Sequence, residues 1–482
     1  MSPSLPLQAL LQTLHTIVGP SHVLIESDSN DLVQYVRDWR GRERGIALAV
    51  VRPNSTEQVA AIVKACAATP GVSIVPQGGN TGMVVGSTPD ESGTQIVLSL
   101  QRMNTVRKLD AGNGTITLDA GCVLQNVQQA CSDAGYLFPL SLGSQGSCTI
   151  GGNLGTNAGG TQVVRFGNTR ELCLGLEVVT AQGEIWSGLS GLRKDNTGYD
   201  LRDLFIGSEG TLGIITAATM KMYPQPAAKL TAFAAVPSMD AAVTLLGLAH
   251  QHLSAGLTGF EVMGQFSLAL VGKHFPQQRV PFLGMEGAPY CVVLENSDHE
   301  SEAHAREQFE RLLEAAMENG CALDAVVAEN MTQAKALWHI RESIPLAQAD
   351  EGLNIKHDIS IPVSSIPDFV RVTDAKLEAA FPGARLVNYG HLGDGNLHYN
   401  VQAPVGSDQA AFLNDQELGV NALVFEMVDQ FNGSISAEHG VGSLKVDKLP
   451  YHKSPVALEL MRTIKRALDP QNLMNPGRVV RV

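Results

Sequence analysis

Hydrophobic and polar positions along this chain fall into short blocks whose period changes from element to element. From Ile46 the run "IALAVV" is a continuous apolar strand signal and "PNST" is a turn. "EQVAAIVKACAA" then repeats apolar residues at three- and four-residue spacing. With "VSIVPQGG" behind it, the pattern predicts a strand and then a helix capped by Ser55 or Thr56, with Glu57 in its first turn. A second strand ending in a glycine turn completes a βαβ unit. "TQIVLSL" and "GTITLDAG" predict further strands, residues 123 to 134 a helix, and "LGLEVVTAQGEIWS" a hairpin closed by Ala-Gln-Gly. From about 228 to 385, longer helical patterns such as "DAAVTLLGLAHQHLSA" and "EAHAREQFERLLEAAMENG" alternate with strands such as "YCVVLEN" and "GARLVNYG". Helices packed on one antiparallel sheet follow. The tail from Val456 predicts one helix stopped by Asp469-Pro470, and no internal repeat is present. The fold class is α+β.

Composition narrows the function. With 482 residues, 44% hydrophobic and 17% charged, the chain is long enough for two or three domains with full cores. Its 48 acidic against 34 basic residues, a net charge of -14, repel phosphate backbones and anionic lipid, so no nucleic-acid partner is expected. No run reaches the roughly 18 apolar residues of a membrane span. The first 36 residues contain neither Lys nor Arg, unlike a signal or transit peptide, so they read as an ordinary first helix and a cytoplasmic protein is expected. Seven cysteines without a CxxC pair argue against a disulfide framework and against a thiolate metal site.

Glycine carries the first chemistry. "PQGGNTG" (76 to 82) follows a predicted strand, and "GSQGSCTIGGNLGTNAGG" (143 to 160) holds seven glycines in 18 positions. Such loops let backbone N–H groups approach an anion with no Cβ in the way, which suits a pyrophosphate. No GxxxxGK[ST] occurs, and no GxGxxG opens a helix after a strand, so neither a P-loop nor a Rossmann site is supported.

Histidine carries the second. In "GHLGDGNLHYN" (390 to 400), Asp394-Gly395 predicts a two-residue hairpin turn that pairs His391 with His398 across two strands. Asp394 itself is read as a turn residue.

These segments, with "KDNTGYDLRDLFIGSEGTLGIIT", "SAEHGVG" and "LDPQNLMNPGR", resemble the FAD-dependent 2-hydroxyacid dehydrogenases of the vanillyl-alcohol-oxidase type, and among them the D-2-hydroxyglutarate dehydrogenases most. The resemblance runs in order from about residue 30 to the carboxyl terminus. It implies a PCMH-type FAD-binding domain of two α/β subdomains (1–227), a cap domain with an antiparallel sheet (228–440) and a C-terminal segment returning to the flavin (441–482). Carried over, Pro76, Gly78, Gly79, Asn80, Thr81 and Gly82 hold the pyrophosphate, and Ser144, Ser147, Thr149, Gly152 and Asn153 line the flavin. Glu209, Gly210, Gly213 and Ile214 meet the adenosine side or ring edge, and Asn475 the isoalloxazine. The first loop has no His for a covalent bond, so noncovalent FAD is expected.

The resemblance also supplies Glu438 as third ligand to a divalent metal at His391 and His398, Zn²⁺ before Mn²⁺ or Co²⁺, and His439 as catalytic base. Arg341, Lys356 and Asn400 align with substrate contacts, whereas Pro345 stands where some relatives carry a hydroxyl. The expected reaction is oxidation of a D-2-hydroxy acid, with D-lactate, D-malate or a glycolate-oxidising subunit as alternatives. An acceptor such as an electron-transfer flavoprotein or a quinone, and a homodimer, are expected with it. A metal hydrolase with purely structural glycine loops is the reading from another class.

Overall fold

Ser55 accepts the amide hydrogen of Gln58 and so starts the helix Thr56–Ala67 between the strands Ala47–Val51 and Ser73–Gln77, as the pattern predicts. The computed structural model describes residues 5–26 and 32–482. Residues 1–4 of the predicted first helix lie outside the described residues, and the helix itself runs Leu5–Val18. The two strands of the βαβ unit are not neighbours: Gln95–Ser99 lies between them, parallel to both.

Two compact units emerge. The first comprises residues up to Gly159, Asn168–Pro224 and His439–Val482, and the second Gly160–Gly167 and Gln225–Glu438. These bounds differ from the expected 1–227, 228–440 and 441–482 in three places, one of them residues 225–227, which belong to the second unit. Residues 160–167 belong to the second unit, because Val164 packs on its core and a Cβ on Gly393 would meet Val164 at 2.7 Å. His439 and Gly440 belong to the first.

The first unit has a four-stranded sheet, made of the three strands just described and Val23–Leu24 antiparallel to Ala47–Val51, and a five-stranded antiparallel sheet in the order Val106–Asp110, Thr115–Asp119, Gly213–Lys221, Cys173–Thr180, Ile185–Gly188. Its C-terminal helix, Pro455–Leu468, is anchored by buried Lys465, which donates to Asp469, to the Thr211 carbonyl and to the Met474 carbonyl. The second glycine segment is not all loop. Residues Ile150–Thr156 form a helix capped by Thr149, and its Gly151 lies so close to Ala120 that a Cβ would sit 2.6 Å away.

The second unit is one antiparallel sheet in the order Asp324–Val327, Ala228–Val236, Tyr290–Asp298, Leu257–Gly264, Arg385–Gly390, Asn396–Gln402. The short strands Asn354–Ile355 and Asp358–Ser360 flank the last. Helices cover both faces. Ala232, Phe260, Val262, Leu294 and Tyr399 point toward Met239–Leu253, Glu302–Glu318 and Ile366–Ala380. Phe233, Met263, Val293, Val387 and Tyr389, at the alternate positions, point toward Gln265–His274 and Met331–Glu351. Each fully buried Phe or Leu contributes about 1.5–3 kcal/mol. Strand periodicity thereby assigns Glu261, His398 and Asn400 to the second face, among residues that are otherwise apolar. Among the described residues no helix is long and apolar enough to cross a membrane.

Candidate active site

The two glycine segments close on each other in the first unit. A Cβ on Gly78 would lie 2.3 Å from Thr149 Oγ1, and one on Gly79 would lie 2.1 Å from the Ser147 carbonyl, so only glycine permits the approach. Between them and Ser208–Ile215 lies an open cavity, about 930 Å³ with the solvent at its mouth included. All the expected flavin-binding residues line it except Ser144, Ser147 and Asn475.

Those three stand behind the lining, and the buried Asn475 Oδ1 has no protein partner. Ser144 and Ser147 sit in the turn before the helix, where the Ser144 carbonyl accepts the amide of Ser147 and Ser147 presents its own carbonyl to Gly79. Asn475, buried and with φ 42°, donates its amide to the carbonyls of Gly86 and Glu209 and ties the C-terminal segment to the cavity wall.

The cavity fits a dinucleotide. The backbone N–H groups of Gly78 to Gly82 have no hydrogen bond to protein among the described residues, a run of donors suited to a pyrophosphate. The buried side-chain atoms Gln77 Oε1 and Asn153 Nδ2, on residues of its wall, also have no protein partner. Half-buried His439 lines the same cavity. Glu209, expected to face the nucleotide, turns its carboxylate to the amides of Val441 and Gly442. Burial pushes its pKa up, against the pull of those two amides.

The second unit gathers the histidines. His391 Nε2 lies 4.0 Å from Glu438 Oε2 and His398 Nε2 lies 3.9 Å from Glu438 Oε1, with the two rings edge to face at 5.5 Å. Taken one ligand atom per residue, the three lie within 4.8 Å of one another, against the about 3.3–3.6 Å between ligands of a Zn²⁺ ion with bonds of about 2.0–2.2 Å, so the side chains draw together to complete the set.

The hairpin behind it differs from the expected two-residue turn. Tyr389 is the partner of His398, and a five-residue loop, 391 to 395, joins the strands. The Gly395 amide reaches the His391 carbonyl, Asp394 Oδ1 accepts from Asn396, and Gly395 at φ 86° abuts the Ile361 carbonyl. These contacts make the turn wider than a dipeptide. The rings still meet because the slip is two residues, which preserves the face of the sheet.

Sequence reasoning missed the groups behind the ligands. Fully buried Glu261 accepts from His391 Nδ1 at 2.6 Å and from Arg341 Nε at 2.8 Å. Burial alone would lower the His391 pKa, but the Glu261 and Glu438 carboxylates outweigh it and raise it to about 9. Asp358 accepts the Glu438 amide at 3.1 Å and the Asn396 side chain at 2.9 Å. The available signal was a lone acid inside the uncharged strand "LTGFEVMG".

Of the expected substrate contacts, Arg341 is buried, with its guanidinium over the Tyr389 ring at 4.7 Å. Lys356 is exposed on the link between Asn354–Ile355 and Asp358–Ser360. Asn400 is engaged by the protein itself. Its oxygen accepts from the His357 amide and its NH₂ donates to Gln348, so the side chain ties the sheet to the helix Met331–Glu351. Pro345 sits inside that helix one turn beyond Arg341 and offers no hydroxyl.

Residues 47–188 match the family described as FAD binding domain, and residues 225–479 that described as FAD linked oxidases, C-terminal domain. The chain is 38% identical over 467 residues to the mitochondrial D-2-hydroxyglutarate dehydrogenase of Arabidopsis thaliana, spanning 96% of this chain and 80% of the relative. It is 39% identical over 459 residues to the D-2-hydroxyglutarate dehydrogenase of Xanthomonas citri pv. viticola, spanning 94% of each. The crystal structure of p-cresol methylhydroxylase superposes with a TM-score of 0.74 at 18% identity, covering 98% of this chain and 96% of that one, and shares the fold. The chain belongs to the FAD-linked oxidase family, with a PCMH-type FAD-binding domain. Within that family it is an FAD-dependent D-2-hydroxyacid dehydrogenase, an oxidoreductase acting on a CH–OH donor.

Proposed function

We propose that the enzyme oxidises D-2-hydroxyglutarate to the 2-oxo acid with noncovalently bound FAD and a divalent ion, Zn²⁺ foremost, at His391, His398 and Glu438. The carrying observation is the convergence of these three ligand atoms, with His391 already oriented by a carboxylate on its other nitrogen. FAD, when bound, supplies the two-electron acceptor. A divalent ion at the three ligands supplies Lewis acidity that lowers the pKa of a substrate hydroxyl.

His439, the next residue after Glu438 and part of the cavity wall, takes the hydroxyl proton on a ring nitrogen as the hydride leaves the same carbon. The O–H and C–H bonds break and the carbonyl forms. Arg341 holds a substrate carboxylate by its planar fork, since Nε to Glu261 is the guanidinium's only hydrogen bond among the described residues. Lys356 contributes a second cation.

Relatives named for D-2-hydroxyglutarate at 38% and 39% identity support the five-carbon diacid. Pro345, which gives no hydroxyl beyond Arg341, favours D-malate or D-lactate as a second reading. A reducing compartment such as the cytoplasm is supported by seven free, buried cysteines, although the Arabidopsis relative is named mitochondrial. An electron-transfer flavoprotein or quinone as acceptor, and a homodimer, complete the proposal. Anaerobic titration with D-2-hydroxyglutarate, D-malate, D-lactate and glycolate tests it. Flavin bleaching is expected at the lowest concentration of D-2-hydroxyglutarate, and a preference for a monocarboxylate overturns the substrate assignment.

A further inference from the structure

We infer that Glu261 is a positioning residue shared by the metal ligand His391 and the substrate cation Arg341, so that ion binding and carboxylate binding depend on one buried side chain. The inference rests on the metal reading above. Glu261 stands on the strand Leu257–Gly264 between Phe260 and Val262 and opposite Val293, positions that packing alone would fill with an apolar residue. Taking a carboxylate out of water costs several kcal/mol unless both of its oxygens are paired. Here one oxygen accepts from His391 Nδ1 and the other from Arg341 Nε, on two separate elements.

Each contact leaves a functional atom aimed elsewhere. In the neutral ring that binds an ion, the Nδ1 hydrogen given to Glu261 leaves the lone pair on Nε2, the atom that faces Glu438 at 4.0 Å. With Nε given to Glu261 and its plane over Tyr389, Arg341 keeps its terminal nitrogens as the carboxylate fork. Removal of Glu261 frees both the ring and the fork.

The test uses the FAD-loaded full chain, stripped of metal by a chelator and titrated with Zn²⁺ against a chromogenic chelator. Glu261→Gln is expected to weaken Zn²⁺ about 10- to 100-fold and to raise the KM for D-2-hydroxyglutarate, with flavin content unchanged. If that variant does not fold, the double variant Glu261→Met with Arg341→Met removes the carboxylate without leaving an unpaired buried cation, and the same loss of Zn²⁺ affinity is expected. Wild-type Zn²⁺ affinity in either folded variant overturns the inference. Where the wild type binds one Zn²⁺ that His391→Ala abolishes, the metal reading survives that result. A wild type that binds no Zn²⁺ overturns both.

Discussion

The Glu209 carboxylate accepts the amide hydrogen of Val441 at 2.7 Å and that of Gly442 at 2.8 Å, so one side chain on the cavity wall holds the loop that begins at His439. The fit is close: a Cβ on Gly440 would lie 2.6 Å from Glu209 Oε1, and Glu209 itself adopts φ 52°. Glu209→Gln keeps one acceptor and turns an NH₂ group toward the other amide. A charged hydrogen bond is worth about 1.5–3 kcal/mol, so flavin reduction is expected to slow about 10- to 100-fold with FAD still bound. Stopped-flow reduction measures it, and an unchanged rate would remove Glu209 from the support of His439.

Gly79→Ala is expected to abolish FAD loading, because its Cβ would meet the Ser147 carbonyl at 2.1 Å. Gly143→Ala, with nothing within 4 Å of the new atom, should load normally. The ratio of flavin to protein absorbance reads both. Acid precipitation of the wild type should release the flavin, since Pro76 to Gly82 contain no histidine; colour retained in the pellet would show a covalent bond from elsewhere.

Glu438→Ala and His439→Ala should fail in different ways although the residues are consecutive. Loss of a ligand costs metal occupancy, so added Zn²⁺ is expected to restore part of the Glu438→Ala rate. His439→Ala should keep metal and flavin, lose roughly 10²- to 10⁴-fold in flavin reduction, and recover as pH rises. Metal content and rate, measured against pH, separate the two. Rescue of His439→Ala by metal would make His439 a ligand.

Glu351 supplies a pH test of stability. Burial alone would raise its pKa, but Lys273, Arg385 and His274 outweigh it and hold it at about 2, against 4.5 when unfolded. A depressed carboxylate stabilises the fold above about 4.5, and that contribution fades as pH falls from about 4.5 toward about 2. Glu351→Gln should therefore melt below the wild type at pH 7, and the gap in Tm should narrow below about pH 4.5. A gap constant with pH would assign the loss to packing.

The predicted strand at 47–51, the helices at 124–133 and 239–253 and the hairpin around Gly183 all form, because local apolar period and turn residues specify them. The candidate site was legible where residue type carries the chemistry. Glycines that tolerate no Cβ, and histidines and a glutamate that ligate, announce themselves in one dimension. Glu261 did not, since its meaning lies in contact with residues 80 and 130 positions away. Asn400 looked functional by position, and only the structure shows its side chain engaged by the His357 amide and Gln348.

What the sequence alone determined is parity. Alternation along Asn396–Gln402 commits His398 and Asn400 to one face, and a slip of two residues in the expected hairpin left that commitment intact. What only the tertiary structure decided is register and partner. The loop from His391 to Gly395 takes its width from Ile361 and Asn396, and His391 takes its ring orientation from Glu261. The physical reason is range. Backbone period and steric demand act over a few neighbouring residues, whereas a hydrogen bond between buried side chains exists only after distant strands have paired and excluded water.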